Sequence, residues 1–400
     1  MNSSTMNSYE LGTWAFPILV TNLILLSIGI LYRGKILPEI ITNPIKFIFN
    51  FEISRKIALL TVLILLSIYV GFSISKVLAP ELVGGDYSGA YQHAEQYNTT
   101  SFFKLGGETV QFGLNAISLK ALGNIRIIPF IASISLLLLT YFLTREISQK
   151  RFAGIVSMVI LLQSQLFLRY DTDYAYTNTW TLFFILSLYL IQRRQWHLSI
   201  MSYVLSVLSK ALTAMFLPIT FFFIYSSNIP RKTKIVNAVG FAALSVFIIA
   251  YARFYLTATE FHPAEFWTGF TALENSLRFD GLVLIFLLPL VVGLFVISRR
   301  GVAYADSVMV LILGVLFSSP LLVGLTDFTN QPYRLIPLVV FFAVGVGVLL
   351  SNRVNILRMQ NRKLLSTVIF SATLIIVTIN LIPVIFPSLI QGTYRIVLNG

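Results

Sequence analysis

Long apolar runs alternate with short polar connectors along almost the whole chain. An α-helix needs roughly 20 apolar residues to cross the hydrocarbon of a bilayer, and fewer inside a bundle. Twelve runs are candidates, near residues 13–32, 57–79, 125–143, 152–168, 174–191, 198–209, 211–227, 235–256, 280–298, 306–324, 335–351 and 364–388. The pattern predicts an all-α, polytopic transmembrane helical bundle of about 12 spans. The sixth and seventh runs are short, so they read either as two crossings or as one re-entrant, half-depth hairpin.

The connectors divide by charge. Arg33, Lys35, Lys46, Arg55 and Lys56 share one; Arg145, Lys150 and Arg151 fall in the next but one, and Arg193 and Arg194 follow. Arg231, Lys232 and Lys234, then Arg299 and Arg300, then Arg353, Arg358, Arg362 and Lys363 continue the series. The intervening connectors hold most of the acids: Glu81, Asp86, Glu95, Glu108, Asp171, Asp173, Glu260, Glu265, Glu274, Asp280 and Asp327. By the positive-inside rule the basic connectors are cytoplasmic. Both termini then lie on the outer side, as does the longest acidic connector, residues 80–124, where short interfacial helices are expected.

Composition agrees. With 56% hydrophobic and 11% charged residues, the chain carries more apolar surface than a soluble domain needs. A net charge of +13 without a long basic run fits cytoplasmic loops and argues against nucleic-acid binding. The absence of cysteine excludes disulfides and thiolate metal sites. The N-terminal MNSSTMNSYELGTW lacks the basic start of a signal peptide. No segment is long enough for a separate soluble domain. No repeat relates the two halves, which weighs against a transporter built by duplication.

Polar chemistry gathers in the acidic connectors. In LVGGDYSGAYQHAEQYNTT, residues 82–100, a helix over 86–97 would put Asp86, Ala90, His93 and Tyr97 on one face and Glu95 on the other. Asp86 then reads as a base or metal ligand facing a cavity, or as the N-cap of a short interfacial helix. His93 has no second histidine spaced to join it and reads as an interfacial polar residue. In RYDTDY, residues 169–174, Asp171 and Asp173 offer hard oxygen ligands to a divalent cation. The plain alternative is a solvated acidic turn that Arg169 neutralises. Lys210, in VLSKALTAMFLP, lies between two short apolar segments, far from any basic connector. A charge near membrane depth costs about 2.5–3.5 kcal/mol and normally faces a cavity or a partner, unless it snorkels to the interface. Arg334, in TDFTNQPYRLIPL, opens a span on the side where positive charge is disfavoured. A guanidinium there suits a lipid phosphate, which it grips bidentately, or is a plain interfacial arginine. The connector 257–279, with Phe261, Phe266, Trp267 and Phe270, is either a loop that closes over an acceptor or an interfacial aromatic belt.

In order and spacing these features resemble the GT-C superfamily of membrane glycosyltransferases, which take a sugar from a polyprenyl-phosphate carrier. The likeness runs through GGDYSGAYQHAEQY; then the span that Arg126 opens, leading to RYDTDY; then SVLSKALTAMFLP; and last YRLIPLVVFFAVGVGVLL, similar to the RY-x-x-P span start of many members. It covers about residues 57–351. The resemblance implies that Asp86 is the catalytic or metal-coordinating carboxylate and that Asp171 and Asp173 form the second carboxylate site of a metal-dependent branch, with Mg²⁺ or Mn²⁺. It implies that Lys210, Arg334 and Tyr333 contact the donor phosphate, that Tyr91, His93 and Trp267 line the acceptor side, and that no organic cofactor is used. Residues 1–56 would be an additional span and cytoplasmic loop before the 57–351 core, and 352–400 a last span and short outer tail.

The chain departs from the family in that extra span. It also lacks the WWDYG signature of oligosaccharyltransferase subunits and the Asp-Glu pair of protein mannosyltransferases, since Tyr87 follows Asp86. The style is then single-sugar transfer, as in Rgt-like or lipid A-modifying enzymes. A lipid, glycan or protein acceptor would be served on the non-cytoplasmic face, in the cell membrane. A twelve-span secondary transporter and a noncatalytic membrane scaffold are the rival readings.

Overall fold

The computed structural model describes residues 14–82, 84–98, 108–255, 261–325, 332–351 and 362–385. Among them the regular elements are helices: α1 (Ala15–Arg33), α2 (Glu39–Asn50), α3 (Arg55–Val77), α4 (Gly85–Glu95), α5 (Thr109–Leu122), α6 (Ile127–Ser148), α7 (Arg151–Gln163), α8 (Gln165–Arg169), α9 (Thr179–Gln192), α10 (Trp196–Ser209), α11 (Leu217–Ser226), α12 (Arg231–Tyr255), α13 (Pro263–Leu277), α14 (Gly281–Arg299), α15 (Ala305–Leu325), α16 (Ile336–Leu349) and α17 (Arg362–Ile385). Single 3₁₀ stretches, Ala211–Phe216 and Pro332–Leu335, precede α11 and α16.

Among the described residues, seven stretches are long and apolar enough to cross a membrane: Ala15–Tyr32, Arg55–Val77, Ile127–Ser148, Gly281–Arg299, Ala305–Leu325, Pro332–Leu349 and Lys363–Ile382. They mark the chain as an integral membrane protein. Four of the remaining runs form the shorter apolar helices Arg151–Gln163, Thr179–Gln192, Trp196–Ser209 and Ala211–Ser226. The 3₁₀ stretch that opens the seventh run folds back on the sixth. The backbone breaks at Lys210, which is extended, and Tyr203 Oη then donates to Thr213 O at 2.6 Å. At 14 residues α10 is about 21 Å long, short of the roughly 30 Å of bilayer hydrocarbon.

The helices group into two compact units. Unit 1 takes residues 1–51, 260–338 and 354–400. In it α1 lies on α14, where Asn22 Nδ2 donates to Ile285 O at 3.2 Å. Segment 257–279, expected as a loop, is largely helical: Pro263–Leu277 is the 15-residue α13. Its Gly269 lets α15 approach so closely that an added Cβ would meet Pro320 Cα at 2.6 Å. Asp280 caps α14 by accepting from the Val283 N–H at 3.1 Å. Phe295 stacks on Phe370 of α17 at 4.1 Å.

Unit 2 takes residues 52–259 and 339–353. Its helices are held by small and hydroxyl side chains, because apolar surface alone gives helices little reason to associate in lipid. Ser199, Ser202 and Ser206 recur every three or four residues on α10 and bond back to α9 at Ser187 O, Phe183 O and Trp180 O, at 3.0, 2.9 and 2.6 Å. Gly347 of α16 seats against α6 and α7: an added Cβ would meet Thr144 Cγ2 at 2.3 Å, Ser157 Oγ at 2.5 Å and the Ala153 carbonyl at 3.0 Å. Thr144 and Ser157 are short, fully buried side chains with little room to rotate, and the Ala153 carbonyl is backbone. Gly347→Ala is therefore expected to lower stability by about 1–3 kcal/mol, read as a lower unfolding midpoint in detergent. Gly71→Ala, whose Cβ meets nothing within 4 Å, is the control. Equal midpoints for the two variants would contradict this packing.

The two ends of unit 2 differ. At one, Arg151 pairs with Glu52 at 3.8 Å, Arg193 with Glu146 at 3.5 Å, and Ser351 Oγ donates to Ser148 O at 3.1 Å. Three basic connectors thus share this end. The far ends of α3, α6 and α10 carry α4, α5 and loop 170–178.

Candidate functional site

The acidic end of unit 2 is built around loop 170–178. A loop at a helix-bundle end must satisfy its own carbonyls, and here neighbouring side chains do so. Ser133 Oγ donates to Asp171 O at 2.7 Å, Asn115 Nδ2 to Tyr174 O at 2.8 Å, and Gln111 Nε2 to Ala175 O at 2.8 Å. The end of α3 is tied in the same way. Arg126 donates to Lys76 O and Pro80 O at 2.9 and 2.8 Å, and Asn124 Nδ2 to Val77 O at 2.8 Å. The Arg126 guanidinium also lies 5.9 Å from the Tyr174 ring centre. Arg126, read only as a span opener, thus takes up carbonyls at and just beyond the C-terminal end of α3.

Asp171 and Asp173 part company within this loop. Asp171 is fully buried. Lys76 Nζ stands 3.1 and 3.3 Å from its two oxygens, and Ser73 Oγ donates to it at 2.5 Å. Lys76 also donates to Leu168 O at 2.6 Å. The neutralising cation is therefore Lys76, not the expected Arg169, which is exposed and lies 5.9 Å from the Tyr170 ring centre. Asp173 closes an Asx turn: its Oδ1 accepts from the N–H groups of Ala175 and Tyr176 at 2.9 and 2.8 Å, and its Oδ2 from Tyr87 Oη at 2.8 Å. Burial raises the Asp173 carboxyl above its ordinary range, against the opposing pull of these donors and of Arg126. Burial, and next the Asp173 charge, push the Tyr87 phenol upward as well.

Helix α4 lies on this loop and on α5. Its buried face is Ala90 and Ala94, flanked by Tyr87 and Tyr91, which pack with Phe112, Ile125 and Tyr174. Asp86 is not on that face, so the grouping of Asp86 with Ala90 expected from spacing does not describe the packing. Nor is Asp86 the N-cap. Gly84 holds that position with φ +108°, a conformation that costs glycine little, and Asp86 sits exposed in the first turn. There a carboxylate meets the positive end of the helix dipole. Tyr176 Oη donates to Asp86 Oδ2, and among the described residues Oδ1 accepts no hydrogen bond. Tyr87 contacts Tyr174 and Tyr176 edge-on at 5.6 and 5.7 Å, and Tyr170 contacts Tyr176 at 6.0 Å. The result is an exposed carboxylate fixed by a phenol over a tyrosine floor.

The other expected site residues fall as follows. Tyr91 is half-buried on α4, its phenol raised first by the Glu81 charge. His93 is exposed, with its ring 4.9 Å from Phe112. Lys210 is not an isolated charge: at the break after α10 its Nζ donates to Glu108, directly before α5. In unit 1, Tyr333 is buried and the half-buried Arg334 lies over its ring at 5.8 Å. Among the described residues, Arg334 Nε and Nη1 are buried without a hydrogen-bond partner, an arrangement that favours an anion. Trp267, on α13, is exposed beside Phe266 and Phe270.

Asp171 and Asp173 do not fit a shared divalent cation. Both Asp171 oxygens face an ammonium, Asp173 is committed to its turn, and among the described residues no group of three or more histidines and carboxylates is placed to hold an ion. Sequence reasoning missed Lys76, Glu108 as the partner of Lys210, and Tyr176. A lysine inside an apolar run, at its acidic end, was the available signal for Lys76. Compared with known protein families, with curated proteins and with solved structures, the chain matches none.

Proposed function

We propose that this chain is an integral-membrane glycosyltransferase that moves a sugar from a polyprenyl-phosphate donor to an acceptor hydroxyl on the outer face of the membrane. The supporting observation is Asp86: an exposed carboxylate, held through one oxygen by Tyr176 and open at the other, on the end of unit 2 opposite its basic connectors. Asp86 Oδ1 takes the proton of the acceptor hydroxyl. The acceptor oxygen then bonds to the anomeric carbon, the bond from that carbon to the phosphate oxygen breaks with inversion, and polyprenyl phosphate leaves with the electron pair. Within unit 2, Lys210 is the candidate phosphate contact. In this reading an anionic donor competes with Glu108 for the Lys210 ammonium.

A paired charge is also what a secondary transporter uses. The Lys76–Asp171 pair, however, stands at the end of α3 and serves the loop that carries Tyr176. The test is release of polyprenyl phosphate from a panel of purified polyprenyl-phosphate sugars by protein in nanodiscs, supplied with candidate acceptors, with and without a chelator. Release that survives the chelator is expected. Full loss on chelation would put a metal in the reaction, and no release from any donor would count against the transferase.

A further inference from the structure

Helix α2 joins α1 to α3 through connectors of only five residues, 34–38, and four, 51–54. Its helical positions sort cleanly. Ile40, Ile41, Pro44, Ile45, Phe47 and Ile48 share one broad face, and Glu39, Asn43, Lys46 and Asn50 share the opposite one. An apolar stripe of that width in a soluble domain would lie on a core, yet no residue of α2 is buried. Ile40 is 81% and Phe47 65% exposed. The ends of the two neighbouring spans hold α2 within a few residues of the membrane boundary, so the apolar medium in reach is the bilayer itself. Charge points the same way. Residues 33–56 contain Arg33, Lys35, Lys46, Arg55 and Lys56 against Glu39 and Glu52, and Glu52 is taken up by Arg151.

We propose that α2 is an in-plane anchor. It lies along the membrane surface with Ile41, Ile45 and Ile48 among the acyl chains, and the flanking basic side chains hold anionic lipid headgroups. This assignment is independent of the catalytic reading.

The chain's lack of cysteine allows a clean test. Single cysteines at each position from 39 to 50 are spin-labelled in nanodiscs, and collision with oxygen is compared with collision with a water-soluble nickel chelate. The expected result is a period near 3.6 residues, with the oxygen-to-nickel ratio severalfold higher at 41, 45 and 48 than at 43, 46 and 50. Adding phosphatidylglycerol to phosphatidylcholine discs should raise the ratio on the apolar face, and Lys46→Gln should reduce that gain. Uniformly high nickel access would overturn the proposal, as would labels shielded from both reagents, which would mean a protein partner. A ratio blind to lipid charge would overturn the headgroup assignment.

Discussion

Lys76→Met should destabilise unit 2 by about 1–3 kcal/mol, because it withdraws a donor from a buried carboxylate, while the ammonium it removes is itself partly solvated. The substitution keeps the length and apolar character of the side chain but leaves Asp171 buried with Ser73 as its remaining side-chain donor. The reverse change should be milder. The Lys76 side chain is 41% exposed whereas that of Asp171 is wholly enclosed, so in Asp171→Asn the ammonium can turn to the interface while the amide keeps the Ser73 contact. The double variant should recover part of the loss, since no uncompensated charge remains inside. Thermal unfolding of the four proteins in detergent checks the order: wild type, then Asp171→Asn, then the double variant, with Lys76→Met lowest. Equal loss in both single variants would mean that the pair acts through packing alone.

Asp86→Asn should lower sugar transfer by two to four orders of magnitude, the range lost when a general base is removed, with the unfolding midpoint unchanged. Stability should hold because Asp86 is exposed and is not a helix cap, and an amide oxygen still accepts from Tyr176. Tyr176→Phe is expected to cost less, about tenfold, equivalent to the roughly 1.4 kcal/mol of one hydrogen bond to a charged group. A transfer rate unchanged in Tyr176→Phe would separate the phenol from the carboxylate's chemistry.

Much of the helical framework was legible in the apolar runs, because length and hydropathy alone decide which helices can cross a bilayer. Lys210 was legible as a charge that needs a partner. The partners themselves were not. Lys76 meets Asp171 across 95 residues of sequence and Tyr176 meets Asp86 across 90, and such pairs are set by which helices pack together. Asp-x-Asp spacing suggested two ligands for one ion; backbone geometry turned one carboxylate to Lys76 and the other into its own turn. α2 and α13 were not legible because each lies in a connector whose charged and polar residues interrupt the apolar run. The orphan donors of Arg334 are a tertiary fact, although its place at a span start was plain from the sequence.

Transfer on the outer face requires the Asp86 end of unit 2 to lie on the non-cytoplasmic side of the membrane. His93 is exposed on α4, seven residues after Asp86, and Arg194 marks the opposite, basic end. With no native cysteine, His93→Cys and Arg194→Cys each carry a single reporter for a membrane-impermeant maleimide. Labelling of His93→Cys on intact cells, with Arg194→Cys labelled only after permeabilisation, is the predicted result. The reverse pattern would place the carboxylate in the cytoplasm and contradict transfer on the outer face.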